Sequence, residues 1–103
     1  MRNSIWCAAV AVLFCSNQAA FAADAGNGLR LAQRWCAACH IVSSTQSKGV
    51  DTAPSFASIA KRTDFGADKL ALFLLDPHPK MPNMSLSRSE AQDLAAYIAK
   101  LSP

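Results

Sequence analysis

WCAACH, residues 35–40, places two cysteines three positions apart and a histidine directly after the second. On a helix or a helical turn, Cys36 and Cys39 are related as i and i+3, and His40 is i+4 from Cys36, so the three side chains can face one object. Four uses suit such a group: a disulfide, a zinc site, a thiol redox site, or covalent attachment of a cofactor. The rest of the chain decides between them.

The first 22 residues have the layout of a secretory signal peptide. Arg2 supplies a positive charge, residues 5–14 form an apolar run, and Ala20-Phe21-Ala22 matches an A-x-A cleavage motif. The apolar run is too short for a bilayer, which requires roughly 20 residues of helix. We therefore expect residues 1–22 to be a cleaved signal peptide, residues 23–103 to form one domain, and no membrane anchor to remain.

Three uses of the motif meet an objection once the two cysteines of the leader are removed. A disulfide between Cys36 and Cys39 is favoured by export, but it assigns no role to His40. Structural zinc requires four ligands, and the only other histidine of the sequence is His78. A thioredoxin-type redox site expects C-x-x-C near a βαβ unit, and no stretch shows the alternation of a strand.

Attachment of haem c is the remaining interpretation, because C-x-x-C-H is the pattern of a c-type haem site. The thiols of Cys36 and Cys39 would add to the two vinyl groups as thioethers, and His40 would bind the iron. A domain as small as residues 23–103 usually needs a staple, a metal or a cofactor to complete its core. A haem at its centre agrees with that requirement.

Hydrophobic spacing predicts an all-α domain with no strand. Ser87-Arg-Ser-Glu90 is a capping box that should begin the last helix, and the prolines of PHPKMPN, residues 77–83, prevent a helix there. Residues 42–52 are polar and aperiodic, which predicts a loop. The predicted helices are residues 27–39, a short helix or turn beginning at Pro54, residues 66–76, and a last helix after Ser87 that carries Leu94, Tyr97, Ile98 and Leu101 on one stripe.

The sequence resembles the class I cytochromes c, in particular the small exported bacterial monohaem type. The resemblance covers essentially all of residues 23–103 and rests on GLRLAQRWCAACH, APSF, PHPKMPNMSLS and EAQDLAAYIAKL, in the order and near the spacing of that family. It implies the cytochrome c fold, in which three to four short helices wrap around one covalently attached haem. It also implies a periplasmic protein, expected to be a monomer, that exchanges electrons with redox partner proteins.

Three residues are candidates for the iron ligand opposite His40: Met81, Met84 and His78. The resemblance implies Met81, because the family's methionine commonly precedes a proline and lies about four turns ahead of the aromatic residue of the last helix, here Tyr97. Histidine/methionine ligation saturates the iron and raises its potential, which suits electron transfer. An open position would instead suit gas binding or peroxide chemistry.

The resemblance also implies roles for residues outside the motif. In the family, the iron-bound imidazole donates its other N–H to a proline carbonyl in the following loop, and Pro54 is the matching residue. Gly28 would let the first helix cross close to the last, under Tyr97. This chain has Ala32 where the family often has a bulky aromatic residue, so we expect Trp35 to pack against the haem or the core.

The charge balance excludes one class of partner. Ten Lys and Arg residues stand against seven Asp and Glu, a formal net charge of +3 without a basic block, so no nucleic acid is expected. The expected function is that of a periplasmic one-electron carrier, not an enzyme. Two alternatives stay open: a dedicated cytochrome subunit of a periplasmic dehydrogenase or oxidase, and a haem enzyme or gas sensor with an open sixth site.

Overall fold

Four helices and no strand make up the part of the chain described by this computed structural model, residues 22–76 and 80–103. The helices are α1 (Ala25–Trp35), α2 (Phe56–Ala60), α3 (Ala67–Leu75) and α4 (Arg88–Ala99). The predicted all-α class is confirmed. The predicted leader up to residue 21, with its two cysteines, and His78 lie outside the described residues. None of the described helices is long and apolar enough to cross a membrane.

The last helix, α4, holds the fold together because it packs against each of the other three helices. Its first turn has the predicted capping box: the backbone N–H of Glu90 donates to Ser87 Oγ at 3.1 Å, and the backbone N–H of Ser87 donates to Glu90 Oε1 at 2.9 Å. These bonds satisfy donors that a helix start otherwise leaves without a partner. The residues that α4 buries are Ala91, Leu94, Ala95, Tyr97 and Ile98.

Helices α1 and α4 cross in direct backbone contact at Gly28. A Cβ atom at this position would lie 2.0 Å from the carbonyl oxygen of Asp93 and 2.7 Å from Tyr97 Cβ. The Asp93 carboxylate fixes the same crossing, since it accepts hydrogen bonds from the backbone N–H of Asp24 at 2.7 Å and from Asn27 Nδ2 at 2.9 Å. The close crossing beneath Tyr97 that the resemblance implies is therefore present.

The first helix is shorter than predicted and stops before the WCAACH cysteines. The N–H groups of Cys36 and Ala37 both donate to the carbonyl of Ala32, and this shared acceptor ends the regular ladder of α1. A separate turn follows, in which the N–H groups of Cys39 and His40 donate to the carbonyl of Cys36 at 3.1 and 2.8 Å. The predicted helix over residues 27–39 is thus a helix followed by a distinct turn.

Trp35 was expected to pack against the haem or the core, and the structure shows that it does not pack in the core. Its side chain is 42% exposed, and the guanidinium of Arg34 lies 4.9 Å from its ring centroid. Ala32 is fully buried. The buried core residues are Leu31, Ala32, Cys36, Val42, Phe56, Ala60, Ala71, Leu74, Ala91, Leu94, Ala95, Tyr97 and Ile98.

Candidate cofactor site

His40 is the buried polar side chain of the site, with 9% of its surface exposed. Its Nδ1–H donates to the carbonyl oxygen of Pro54 at 2.6 Å. The ring of Phe56 packs against the imidazole with centroids 5.4 Å apart and planes tilted by 46°. Because a carbonyl can only accept, Nδ1 carries the proton of the neutral ring and Nε2 keeps its lone pair. His40 therefore presents a nitrogen that can bind a metal.

The start of α2 explains why the carbonyl of Pro54 is available. Ser55 is the N-cap of α2, and its carbonyl accepts the first helical hydrogen bond, from the backbone N–H of Ile59 at 3.1 Å. Pro54 lies one residue earlier, so its carbonyl is not part of the helical ladder. The N–H of Phe56 donates to the carbonyl of Ile41 at 3.0 Å and holds this segment beside His40.

Gln46 ties the loop after the motif to the motif itself. Its Oε1 accepts from the backbone N–H of Val42 at 3.0 Å. Its Nε2 donates to three carbonyl oxygens, those of Ala37 at 2.9 Å, His40 at 2.7 Å and Lys48 at 2.8 Å. Sequence reasoning missed this residue, because a glutamine in an aperiodic polar stretch gives no signal of what its amide will contact.

The backbone around His40 is also held from α4 and from the end of the loop. The hydroxyl of Tyr97, buried in the core, donates to the carbonyl of Val42. Burial raises the pKa of Tyr97 above its ordinary value, so the phenol stays protonated and remains a donor at neutral pH. The N–H of Val50 donates to the carbonyl of Cys39 at 2.8 Å. The segment that carries His40 is therefore fixed on both sides.

A cavity of about 460 Å³ opens between this segment, α2 and α3. His40, Pro54 and Met81 all line it. Met84 is not among the residues that line the cavity; it is half-buried and packs against the core. The structure thus brings together one of the two candidate methionines, the candidate histidine and its proline. The other lining residues are Ile59, Arg62, Asp64, Phe65, Gly66, Lys69, Leu70 and Phe73.

The two cysteines of the motif differ in their surroundings. Cys36 is buried and Cys39 is exposed; both are free thiols, and neither is among the residues that line the cavity. Burial raises the pKa of the Cys36 thiol to about 11, so this sulfur stays uncharged at neutral pH. A thioether has no proton to lose and suits the same position. No cluster of three His, Cys, Asp or Glu residues that could hold a metal ion occurs in residues 22–76 and 80–103.

Charged residues occupy part of the cavity wall. Arg62 and Lys69 supply two positive charges and Asp64 one negative charge. Lys69 Nζ lies 3.9 Å from Asp64 Oδ2, and both side chains are about three-quarters exposed. An ion pair in such an exposed place contributes little to stability because water and salt screen it. These charges therefore make part of the cavity wall polar but contribute little to the stability of the fold.

The residues present fit a haem group. Imidazole nitrogen and thioether sulfur are the axial pair of electron-transferring cytochromes c, and His40 and Met81 supply both on one cavity. The volume of about 460 Å³ lies within the range of roughly 300–1,000 Å³ that is usual for cofactor pockets. Ile59, Leu70 and Phe73 give it the apolar wall that a haem requires.

Comparisons with known proteins agree with this fit. The family model described as "Cytochrome C oxidase, cbb3-type, subunit III" matches residues 23–98. A protein named cytochrome c-552 from Bradyrhizobium diazoefficiens is 59% identical over 88 residues, which are 85% of this chain and 85% of that protein. No solved structure matches the chain.

Proposed function

The chain belongs to the c-type cytochrome family of cbb3-type oxidase subunit III, and on that premise we propose that Cys36, Cys39, His40 and Met81 hold its haem. It is a monohaem c-type cytochrome that carries electrons, and its cofactor is covalently bound haem c. When bound, the haem supplies one-electron redox chemistry at its iron. The chain's residues hold the group, orient the ligands and exclude water.

The proposed proximal ligand is Nε2 of His40. The hydrogen bond from Nδ1–H to the Pro54 carbonyl, at 2.6 Å, fixes the tautomer and makes the imidazole a stronger base. Phe56 packs against the ring and limits its rotation. In this proposal Pro54 acts through His40 and does not contact the iron.

The proposed distal ligand is Met81, and the observation that carries the proposal is that Met81 and His40 line the same cavity. Thioether sulfur needs no deprotonation, so it can serve the iron in either oxidation state. If His40 and Met81 both bound the iron, no ligand position would be left for a substrate, and the haem would supply electron exchange alone. Such a site suits a carrier and not an enzyme.

Cys36 and Cys39 are the proposed attachment residues. Their turn is set by the hydrogen bonds from the N–H groups of Cys39 and His40 to the carbonyl of Cys36, which puts both sulfurs and the imidazole on one short segment. Covalent attachment to that segment would keep the cofactor in place through redox cycles. It also supplies the interior that a domain of this size lacks.

The apolar residues Ile59, Phe65, Leu70 and Phe73 line the cavity and would shield a bound haem from water. A low dielectric around the iron disfavours the additional positive charge of the ferric state and so raises the reduction potential. Phe73 is 40% exposed, so this side of the cavity lies near the molecular surface. Electrons are proposed to reach redox partner proteins from this side.

The proposed location is the periplasm. Residues 1–22 have the layout of a signal peptide, and the family match begins at residue 23. We propose cleavage after Ala22 and a mature, monomeric domain over residues 23–103. Mass spectrometry of protein expressed with its leader tests this: the mature mass should correspond to a start at Ala23 plus one haem.

A second candidate function is that of a dedicated subunit of an oxidase complex. The description of the matching family as a subunit of cbb3-type cytochrome c oxidase favours it. The name of the relative, cytochrome c-552, does not mention a complex. Size-exclusion chromatography of a detergent extract from a native host separates the two: a free carrier elutes alone and a subunit elutes with the oxidase.

The carrier proposal is tested by adding carbon monoxide and, separately, hydrogen peroxide to the purified protein. A saturated His40/Met81 site predicts that the ferrous spectrum is unchanged by carbon monoxide and that peroxide is not turned over. Rapid binding of carbon monoxide would show an open sixth position and would favour a gas sensor or an enzyme.

A further inference from the structure

We propose that Gln46 is a positioning residue for His40. Through its side-chain amide it fixes the backbone that carries the imidazole and thereby sets the hydrogen bond between His40 Nδ1 and Pro54. The inference rests on the proposed function, in which His40 binds the haem iron. It assigns a role to a loop residue that neither contacts the cavity nor belongs to the C-x-x-C-H motif.

Both donors of the Gln46 amide are used, and its oxygen accepts one hydrogen bond. A glutamine amide has two N–H donors and one carbonyl acceptor. Three backbone carbonyls lie within 2.9 Å of Nε2 and one backbone N–H lies 3.0 Å from Oε1. The two protons are therefore shared among three acceptors. This one side chain connects backbone groups from residue 37 to residue 48.

These hydrogen bonds matter because the segment has no helix or strand that would supply partners for its backbone carbonyls. The carbonyls of Ala37 and His40 follow the end of α1 and have no helical partner. The segment after His40 is neither helix nor strand up to α2. Carbonyls in such a segment take their partners from side chains or water, and the carbonyls of Ala37 and His40 are partly buried. Gln46 supplies them from within the loop.

His40 is consequently held at three points. Its backbone N–H donates to Cys36 at 2.8 Å, its carbonyl accepts from Gln46 at 2.7 Å, and its ring donates to Pro54 at 2.6 Å. The first two bonds fix the peptide from which the side chain leaves. Gln46 also binds the carbonyl of Lys48, so it fixes the beginning of the stretch that runs on to Pro54.

Loss of the Gln46 amide should therefore weaken the ring hydrogen bond without removing either of its atoms. A weaker hydrogen bond makes the imidazole a poorer base, and a poorer base stabilises ferric iron less. The reduction potential should move to more positive values. The Nδ1 proton should also exchange faster with solvent.

The test uses the haem-loaded protein and two control variants. Gln46→Met keeps the length of the side chain and removes its donor and acceptor. Gln33→Met makes the same chemical change on an exposed position of α1. Ser87→Ala removes the N-cap bond of α4 and lowers stability at a site that Gln46 does not contact. Reduction potential and the exchange rate of His40 Nδ1–H in the ferrous protein are measured for each.

The proposal predicts a positive shift in potential and at least tenfold faster exchange in Gln46→Met, with neither change in Gln33→Met. Ser87→Ala should be less stable yet keep the wild-type potential and exchange rate. Wild-type values in Gln46→Met, or equal changes in Ser87→Ala, would overturn the role of Gln46, since the effect would then be absent or one of stability alone.

A measurement on the wild-type protein keeps the test decisive if Gln46→Met does not fold. The side-chain amide protons of Gln46 should exchange at least tenfold more slowly than those of the exposed Gln33; equal rates would overturn the proposal. The wild-type spectrum also checks its premise. If the His40 signals lack the ring-current shifts of an iron ligand, the proposed function is wrong and the role of Gln46 is wrong with it. If those shifts are present, the exchange rates test the role of Gln46 alone.

Discussion

The Nδ1 nitrogen of His40 lies 2.6 Å from the carbonyl oxygen of Pro54, 14 residues further along the chain. The imidazole of His40, the candidate iron ligand, is therefore oriented by a backbone carbonyl and not by another side chain. A backbone acceptor survives substitution of its own residue. The segment between the two residues is held by Gln46 and by the N–H of Phe56, so the bond depends on the loop as a whole.

Pro54→Ala should therefore keep the hydrogen bond and change the protein only slightly. Alanine leaves the carbonyl in place but gives the unfolded chain more freedom, which should lower the free energy of unfolding by about 0.5–1 kcal/mol. Chemical denaturation and the reduction potential of the haem-loaded variant check this. A large change in potential would show that the proline ring itself, and not its carbonyl, controls His40.

Gly28→Ala should destabilise the fold strongly. The new Cβ would lie 2.0 Å from the carbonyl oxygen of Asp93, so α1 and α4 must separate, and overpacking of this kind costs about 1–3 kcal/mol or more. Gly26→Ala is the matched control, because this glycine is exposed on α1 and its Cβ would meet only a side-chain atom of Asp24 at 3.2 Å. Equal unfolding midpoints for the two variants would contradict the close crossing.

Tyr97→Phe should lower stability while leaving the aromatic packing intact. The change removes the hydroxyl that donates to the carbonyl of Val42, and a buried carbonyl without a partner costs about 1–3 kcal/mol. Because Val42 follows His40 closely, the variant should also loosen the segment that carries the imidazole. Amide exchange of residues 39–42 together with thermal unfolding measures both effects. A variant as stable as wild type would show that the hydroxyl is not bonded.

The capping box of α4 should make stability depend on acid. The hydrogen bond from the backbone N–H of Ser87 lowers the pKa of the Glu90 carboxyl below its usual value. A carboxyl with a lowered pKa stabilises the fold above its unfolded pKa of about 4.3, and the contribution is lost as the pH falls through the folded value. Unfolding free energy should therefore fall in this acid range.

Glu90→Gln is the control for that acid dependence. The amide keeps an oxygen that can accept from Ser87 but has no charge to lose, so this part of the pH dependence should disappear. The difference in unfolding free energy between wild type and variant should narrow as the pH falls from 6 to 3. A constant difference over that range would contradict the role assigned to the carboxylate.

The fold was largely predictable from the sequence because its helices follow simple local rules. Ser87 and Glu90 stand at capping-box spacing, and Leu94, Tyr97 and Ile98 form an apolar stripe, so α4 was found with its start correct. Local rules did not predict where α1 ends. There the carbonyl of Ala32 accepts two N–H groups, and this geometry depends on how the following loop packs.

The candidate site could be proposed from the sequence only where residue types carry the chemistry. Cysteine and histidine have few uses in a C-x-x-C-H pattern, which pointed to Cys36, Cys39 and His40, while the resemblance to the class I cytochromes c implied Met81. Gln46 and the exposed position of Trp35 were missed, because a polar amide and a large aromatic each have many uses. The role of Gln46 depends on contacts with backbone groups elsewhere in the loop and in the motif. The exposure of Trp35 depends on how the chain continues after α1 ends.

In the proposed site, His40 and Met81 are the two residues that would bind the haem iron. The most direct measurement is the ferric absorption spectrum of Met81→Ala beside Met84→Ala, with carbon monoxide added to the reduced proteins. We predict that Met81→Ala loses the long-wavelength band of methionine-ligated haem and binds carbon monoxide readily, while Met84→Ala behaves as wild type. The band retained in Met81→Ala, or lost only in Met84→Ala, would contradict the assignment.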